Sequence, residues 1–345
     1  MHPNILRAGA LALSLSLIAI LSWEFYLRHK GNKVTYDDNE ALWADKRAMV
    51  YEPADKATVF IGSSRIKYDL DIPTWRTITG KDAIQLSNVG SSPRAVLTDL
   101  ANDPNFRGNL VVDVTEGQFF TEVAFYDAST NKKISYYHKR TPTQRFSFQV
   151  NHALESQFVF LDQDNFSINA MMDKLPVPPR DGVFPGRYFP MGFSAVTYDR
   201  QTQMTPDFVA DTNQHNAVTG IWAYGLNRPF VPLTTEKTDA IFNSVKRDVD
   251  KIKARGGQIL FVRTPSSGPY RAAEVKRYPK TAYWDRLLAM TGCKGIYFTD
   301  YPETSHFVCP EWSHLTPSDA IVYTKAFIQE MQGKEWPSNN ISISQ

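Results

Sequence analysis

The residues with the most to offer chemically are two serines at the end of an apolar run. Thr58-Val59-Phe60-Ile61 is β-branched and apolar, and it breaks at Gly62-Ser63-Ser64-Arg65. Asn-Gly or Asp-Gly would serve for a plain turn. This break instead presents hydroxyls where a strand hands over to a helix. A serine hydroxyl becomes a nucleophile only when a base takes its proton, and the base needs an orienting group. Glu311-x-x-His314, far along the chain, offers both: His314 as base and Glu311 as the carboxylate that holds its ring. The backbone N–H groups of Ser64 and Gly90 are candidate donors to a developing oxyanion, and glycine leaves the backbone open to approach. The alternatives are structural: Ser64 as a helix cap, His314 as a hydrogen-bonded core histidine, and Asp300 in the place of Glu311.

These residues need elements to position them. Strand-like runs at Ala57–Ile61, Ala83–Val89, Asn109–Thr115, Gln258–Pro265 and Gly295–Thr299 alternate with helical spacing at Arg94–Asn102, Thr235–Arg255 and Tyr283–Thr291. Thr316, Pro317 and Asp319 form an N-cap, N1 and N3 set that starts a last helix just after His314. Such alternation predicts an α/β fold, three-layer α/β/α around a mostly parallel sheet. In an open parallel sheet, ligands bind beyond the carboxyl ends of the strands. The polar clusters fall there: Gly62–Arg65, Asn88–Ser91, Asp113-x-x-Glu116 and Arg263–Pro265. Facing that edge, Arg65 and Arg263 would bind an anionic or polyhydroxy substrate.

The domain reading is an N-terminal membrane anchor at 1–30, a linker at 31–56, a body at 57–335 and a polar tail at 336–345. Inside the body, 119–233 is rich in Pro, Gly and aromatics and breaks the α/β rhythm. It reads as an insertion with helices near Gln149–Phe160 and Asn165–Lys174, either a satellite core or a substrate lid.

Leu6 to Tyr26 is apolar but for Arg7, some serines and Glu24, and about 20 residues span a hydrocarbon core. Trp23 and Tyr26 sit at an interfacial level, followed by Arg28, His29 and Lys30. The reading is an uncleaved single-pass anchor in an inner or plasma membrane, with a cleaved signal peptide as the rival. The basic residues after the span favour a cytoplasmic body. A single N-terminal anchor, and a disulfide between the only two cysteines, Cys293 and Cys309, favour a periplasmic or extracytoplasmic one. With 38 Lys+Arg against 36 Asp+Glu, the charge of +2 argues against nucleic acid as partner. No His/Cys/Asp cluster has metal-ligand spacing, His306 included, and no glycine-rich nucleotide loop is present, so no metal and no cofactor is expected.

The residues carry a resemblance. "FIGSSR", "SNVGSS" and "EWSHL" resemble the first, second and last blocks of the SGNH, or GDSL-type, hydrolase superfamily, over roughly 55–120 and 235–330. The resemblance implies Ser64 as nucleophile, Gly90 as oxyanion donor, His314 as base and Glu311 as its acid. Ser63 and Glu311 each stand where the family has Asp. The Gly-x-Asn block is replaced by "VVDVTEG", which leaves open whether Asn88 supplies the missing donor or Glu116 occupies that place in a substrate-binding role. The Gly-Ser-Ser form is similar to membrane-anchored proteins that help to O-acylate envelope polymers, as in alginate acetylation or lipoteichoic acid D-alanylation. This implies a serine esterase or O-acyltransferase acting on an acylated glycan or small ester, perched beside a membrane acyl-donor protein in the transferase case. An inactive glycan-binding or scaffold subunit of an envelope assembly is the alternative.

Overall fold

The run that ends at Gly62 is a strand, β1 (Ala57–Ile61), buried along its whole length. In the computed structural model it lies in a five-stranded parallel sheet with β2 (Asp82–Gln85), β3 (Asn109–Asp113), β6 (Gln258–Arg263) and β7 (Lys294–Tyr297), in the order β2-β1-β3-β6-β7. β4 (Ala195–Val196) and β5 (Thr202–Gln203) form a separate antiparallel pair. The structure describes residues 3–173, 175 and 189–337. The chain divides into two units, Met1–Asp37 with Thr141–Pro185, and Asp38–Arg140 with Gly186–Gln345.

Both faces of the sheet are covered, which is why its strands read as unbroken apolar runs. Strand side chains alternate between faces. Val59, Ile61, Leu110, Val112, Ile259 and Phe261 pack with the helices Arg94–Asn102 and Thr235–Ala254. Phe60, Val111, Leu260 and Val262 pack on the other face with Ser64–Asp69, Ile72–Thr79 and Pro317–Gly333. The last helix starts as its sequence dictates: the Thr316 side chain accepts from Asp319 N, with Pro at N1.

Three expectations are corrected. Residues 38–56 are body rather than linker: Asn39 caps the helix Glu40–Ala48, and Trp43 enters the core and donates its indole N–H to the Leu86 carbonyl at 3.0 Å. Trp336 is core and not frayed tail; the tail from 338 onward lies outside the described residues. Cys293 and Cys309 are free thiols. Cys293 packs against one face of the sheet just before β7, and Cys309 lies in the core of the other face beyond its far end. A four-residue strand rises about 13 Å, well beyond the Cα separation a disulfide allows.

The 119–233 stretch is not one insertion. Phe119 and Phe120 belong to the sheet core, and the helix Phe125–Lys139 packs on Glu40–Ala48. The described residues from 141 to 175 cluster with the N-terminal helix, whereas those from 189 to 233 cluster with the sheet. The helix expected over Gln149–Phe160 runs instead from Pro142 to Glu155, because Thr141 and Gln144 form a capping box. The one expected over Asn165–Lys174 is two short pieces, Gln163–Phe166 and Ile168–Asp173. Lys174 and 176–188 lie outside the described residues. The helix Pro3–His29 is long and apolar enough to cross a membrane.

Candidate active site

Read along the chain, the main-sheet strands have the order 2-1-3-4-5, which places the topological switch between β1 and β3, where ligands gather beyond the strand ends. Ser64 leaves β1 at this point. Gly62 makes the turn possible, since a Cβ there would lie 2.5 Å from Ile66 Cγ2 and 2.6 Å from Asp113 Cβ. Ser63 takes the N-cap place of the helix Ser64–Asp69 without a side-chain cap bond, its hydroxyl bonding Thr115 Oγ1 at 2.7 Å instead. Ser64 is therefore the first residue inside the helix. Its hydroxyl caps nothing and is left for another partner.

That partner is His314. Its Nε2 lies 2.8 Å from Ser64 Oγ, and its Nδ1 lies 2.9 Å from Glu311 Oε1. Glu311 Oε1 also accepts from the backbone of Ser313 at 3.2 Å and of His314 at 2.6 Å, so the turn is wound around the carboxylate. Its other oxygen accepts the Trp222 indole N–H at 2.6 Å. Glu311 is fully buried and His314 is 1% exposed, while Ser64 keeps 9%. Burial alone would raise the Glu311 carboxyl, but His314 and the hydrogen bonds from His314 and Trp222 hold it below its ordinary value. An ionised carboxylate only accepts, so Nδ1 must carry the ring proton and Nε2 is left to accept from the serine. The three groups thus form a line along which a proton can pass from Oγ to Nε2.

The turn is strained where it needs to be. Trp312 sits at φ +78° between Glu311 and Ser313, a backbone region that costs a non-glycine residue about 1–3 kcal/mol. Its carbonyl accepts from Ser267 N at 2.9 Å, and its ring lies on Gly268, where a Cβ would come 3.0 Å from Trp312 Cδ1. Asp300, the rival acid, is engaged with Lys280 at 2.8 Å.

The other site candidates do something different. Arg65, Arg263 and Glu116 are all buried, and they are tied to one another through a residue the sequence had not marked, Glu274. Arg65 Nη2 reaches Glu274 Oε1 at 2.5 Å, Arg263 Nη2 bonds Glu274 Oε2, and Arg263 Nε spans both Glu116 oxygens at 2.9 Å. Two guanidinium and two carboxylate groups balance one another in charge; these contacts hold Arg65, Arg263 and Glu116 in the scaffold beside the turn and leave Arg65 Nη1 buried without a partner among the described residues. Arg65 Nε also touches Ser313 Oγ at 3.3 Å, which braces the His314 turn from behind. Asn88 is likewise occupied: its amide N–H donates to Thr130 Oγ1 at 3.2 Å, and its oxygen accepts from Lys133 and Arg200, each at 3.1 Å. These bonds fix its side chain as a strut of the loop after β2 and use one of its two amide N–H groups. Gly90 takes φ +62° in that loop, half-buried between the exposed Val89 and the buried Ser91.

An aromatic wall flanks His314. The Tyr68 ring centroid is 4.3 Å from that of His314, Phe193 is at 5.7 Å and Trp222 at 6.3 Å. Tyr68 lies one helical turn after Ser64, a spacing that was readable. Phe193 and Trp222 come from the aromatic-rich stretch read as a satellite core or a substrate lid, where neither was singled out. Among the described residues no group of His, Cys, Asp and Glu could hold a metal ion. Neither a scan against protein-family models nor a search of the curated proteins finds a match to this chain.

Proposed function

We propose that this chain is an SGNH-type serine esterase or O-acyltransferase, tethered by its N-terminal helix, that acts on O-acyl esters of an exported or envelope polysaccharide on the extracytoplasmic side. The observation that carries the reading is the unbroken line Ser64–His314–Glu311, with the proton-accepting nitrogen turned to the serine. The blocks that resemble the superfamily supply these three residues, and the strand order with its switch point beside Ser64 agrees with it.

In this reading His314 Nε2 takes the Ser64 proton as Oγ bonds to the ester carbonyl carbon, and the carbonyl electron pair moves to oxygen. The Ser64 and Gly90 backbone N–H groups receive that oxyanion. Collapse expels the alcohol, which takes the proton from His314 and leaves an acyl-Ser64. Water or an acceptor hydroxyl then repeats the steps in reverse and frees the serine. Glu311, kept ionised, steadies the imidazolium without taking its proton. The aromatic wall of Tyr68, Phe193 and Trp222 is the surface against which the acyl group would rest. Transfer rather than hydrolysis would require a membrane acyl-donor protein as partner.

A second reading has its own observation. The asparagine block is absent, and the Asn88 amide already gives one of its two N–H groups to Thr130, which weakens it as a replacement oxyanion donor. This favours an inactive glycan-binding or scaffold subunit. Labelling the full chain with a fluorophosphonate, followed by peptide mass analysis, separates the two. The enzyme reading expects label on Ser64, lost in Ser64→Ala and reduced by about 10⁶-fold in His314→Ala. Absence of label on folded wild-type protein would replace it with the scaffold reading.

A further inference from the structure

The unit that contains the N-terminal helix carries an apolar surface of a different kind from the sheet body. The helix Pro142–Glu155 turns Phe148, Asn151, His152 and Glu155 toward its own unit, and these are its partly or fully buried positions. At 100° per residue the opposite side bears Phe146, Val150 and Leu154, exposed by 67%, 46% and 46%. An amphipathic helix normally buries its apolar stripe; this one presents it outward. Ile168, Met171 and Met172, at i, i+3 and i+4 of the later piece Ile168–Asp173 of the same unit, are exposed as well.

What lies beyond this stripe is indicated by where the segment is sewn down. Glu24, which closes the apolar run of the N-terminal helix, accepts from the backbone N–H groups of Val159 at 3.0 Å and Phe160 at 3.1 Å. Arg28 bonds Glu24 at 2.6 Å and the Gln157 carbonyl at 2.6 Å. About 20 residues fill the hydrocarbon thickness, so a span that begins near Ile5 emerges at Glu24. Residues 155–161 are therefore held at headgroup level. Arg28, His29, Lys30 and Lys33 follow Glu24 on the side where the span would emerge, a charge pattern suited to anionic lipid.

We propose that the Phe146–Val150–Leu154 stripe lies in the headgroup–acyl boundary of the same bilayer that the N-terminal helix crosses, making a two-point membrane mount. This rests on the reading of that helix as an uncleaved span. The test uses the full chain with Cys293→Ser, Cys309 being buried, reconstituted in phosphatidylcholine–phosphatidylglycerol vesicles. An environment-sensitive fluorophore is placed on single cysteines at Leu13, Phe146, Val150, Leu154, Arg145 and Gln149.

Quenching by shallow spin-labelled lipid at 146, 150 and 154, but not at 145 or 149, with deep quenching at 13, is the expected result. Water-exposed labels at 146, 150 and 154 with deep quenching at 13 would overturn the interfacial helix and leave the span intact. No lipid quenching at 13 would remove the span and the proposal with it. Blue-shifted labels that lipid does not quench and dilution releases would assign the stripe to a second copy of the chain, and would also overturn the proposal.

Discussion

Two buried polar chains begin one residue apart and end differently. From Ser64 a line runs through His314 to Glu311; from Arg65 another runs through Glu274 and Arg263 to Glu116. The second is closed in charge, two cations against two anions, although Arg65 Nη1 is buried without a partner among the described residues. Burial works against the charge on Glu274, Arg65 and Arg263, yet the two arginines hold Glu274 below its ordinary value and are themselves held above theirs. The first line is open. It ends on a neutral hydroxyl with a trace of exposure, and its middle member can change protonation. A closed charge lattice fixes backbone; an open line ending in a hydroxyl can do chemistry. That neighbouring residues serve the two follows from the helix, which turns successive side chains about 100° apart.

Breaking the open line should change reactivity and leave the fold. Glu311→Gln keeps the shape but offers an amide in place of the anion, and fluorophosphonate reactivity at Ser64 should fall about 10⁴-fold, read as the labelling rate with the urea midpoint tracked alongside. A fall in midpoint without a fall in rate would reverse the comparison. Breaking the closed lattice should do the opposite. Glu274→Ala leaves the buried Arg65 guanidinium without its carboxylate and Arg263 with Glu116 alone, and removing one partner of a buried pair costs about 3–5 kcal/mol. Urea unfolding should show this, while protein that remains folded labels at the wild-type rate.

Trp222→Phe tests the seam with the aromatic wall. It deletes one hydrogen bond to a charged group, worth about 1.5–3 kcal/mol, and a labelling rate lowered by one to two powers of ten is expected. An unchanged rate would make the indole packing only. A last prediction concerns a third buried group. Burial, aided by Arg200 and Lys133, pushes Lys67 down to about 7 although Asp38, 2.6 Å away, pulls it up. A lysine in the unfolded chain titrates near 10.4, so between about pH 7 and 10.4 the unfolded state binds the extra proton and stability rises with pH. Lys67→Met should remove that rise, measured as the difference in unfolding free energy between pH 7 and pH 9.5. An undiminished rise would mean that Lys67 does not titrate there.

The sheet was legible because a doubly covered parallel strand must be apolar on both faces. Ala57–Ile61 and the helix Arg94–Asn102 were placed to the residue, and the start of the last helix was written in Thr316, Pro317 and Asp319. Glycine breaks at the strand ends marked the edge where Ser64 and His314 would have to meet. Sequence did not separate arginines that face a ligand from arginines that face each other, because Glu274 carries no local mark of being their partner. It paired Cys293 and Cys309 by proximity along the chain, whereas a sheet lies between them.

What the sequence determined by itself was local and periodic: strand and helix sites, caps, the apolar N-terminal helix, and the residue types that a nucleophile, base and acid require. The tertiary structure decided which groups touch. Ser64 and His314 are 250 positions apart, and only the convergence of β1 and the final helix on one edge of the sheet brings them within 2.8 Å. The physical reason is that periodicity constrains φ and ψ and the buried face of each element, whereas contacts between elements follow from how those faces pack, and nothing within a single element encodes that.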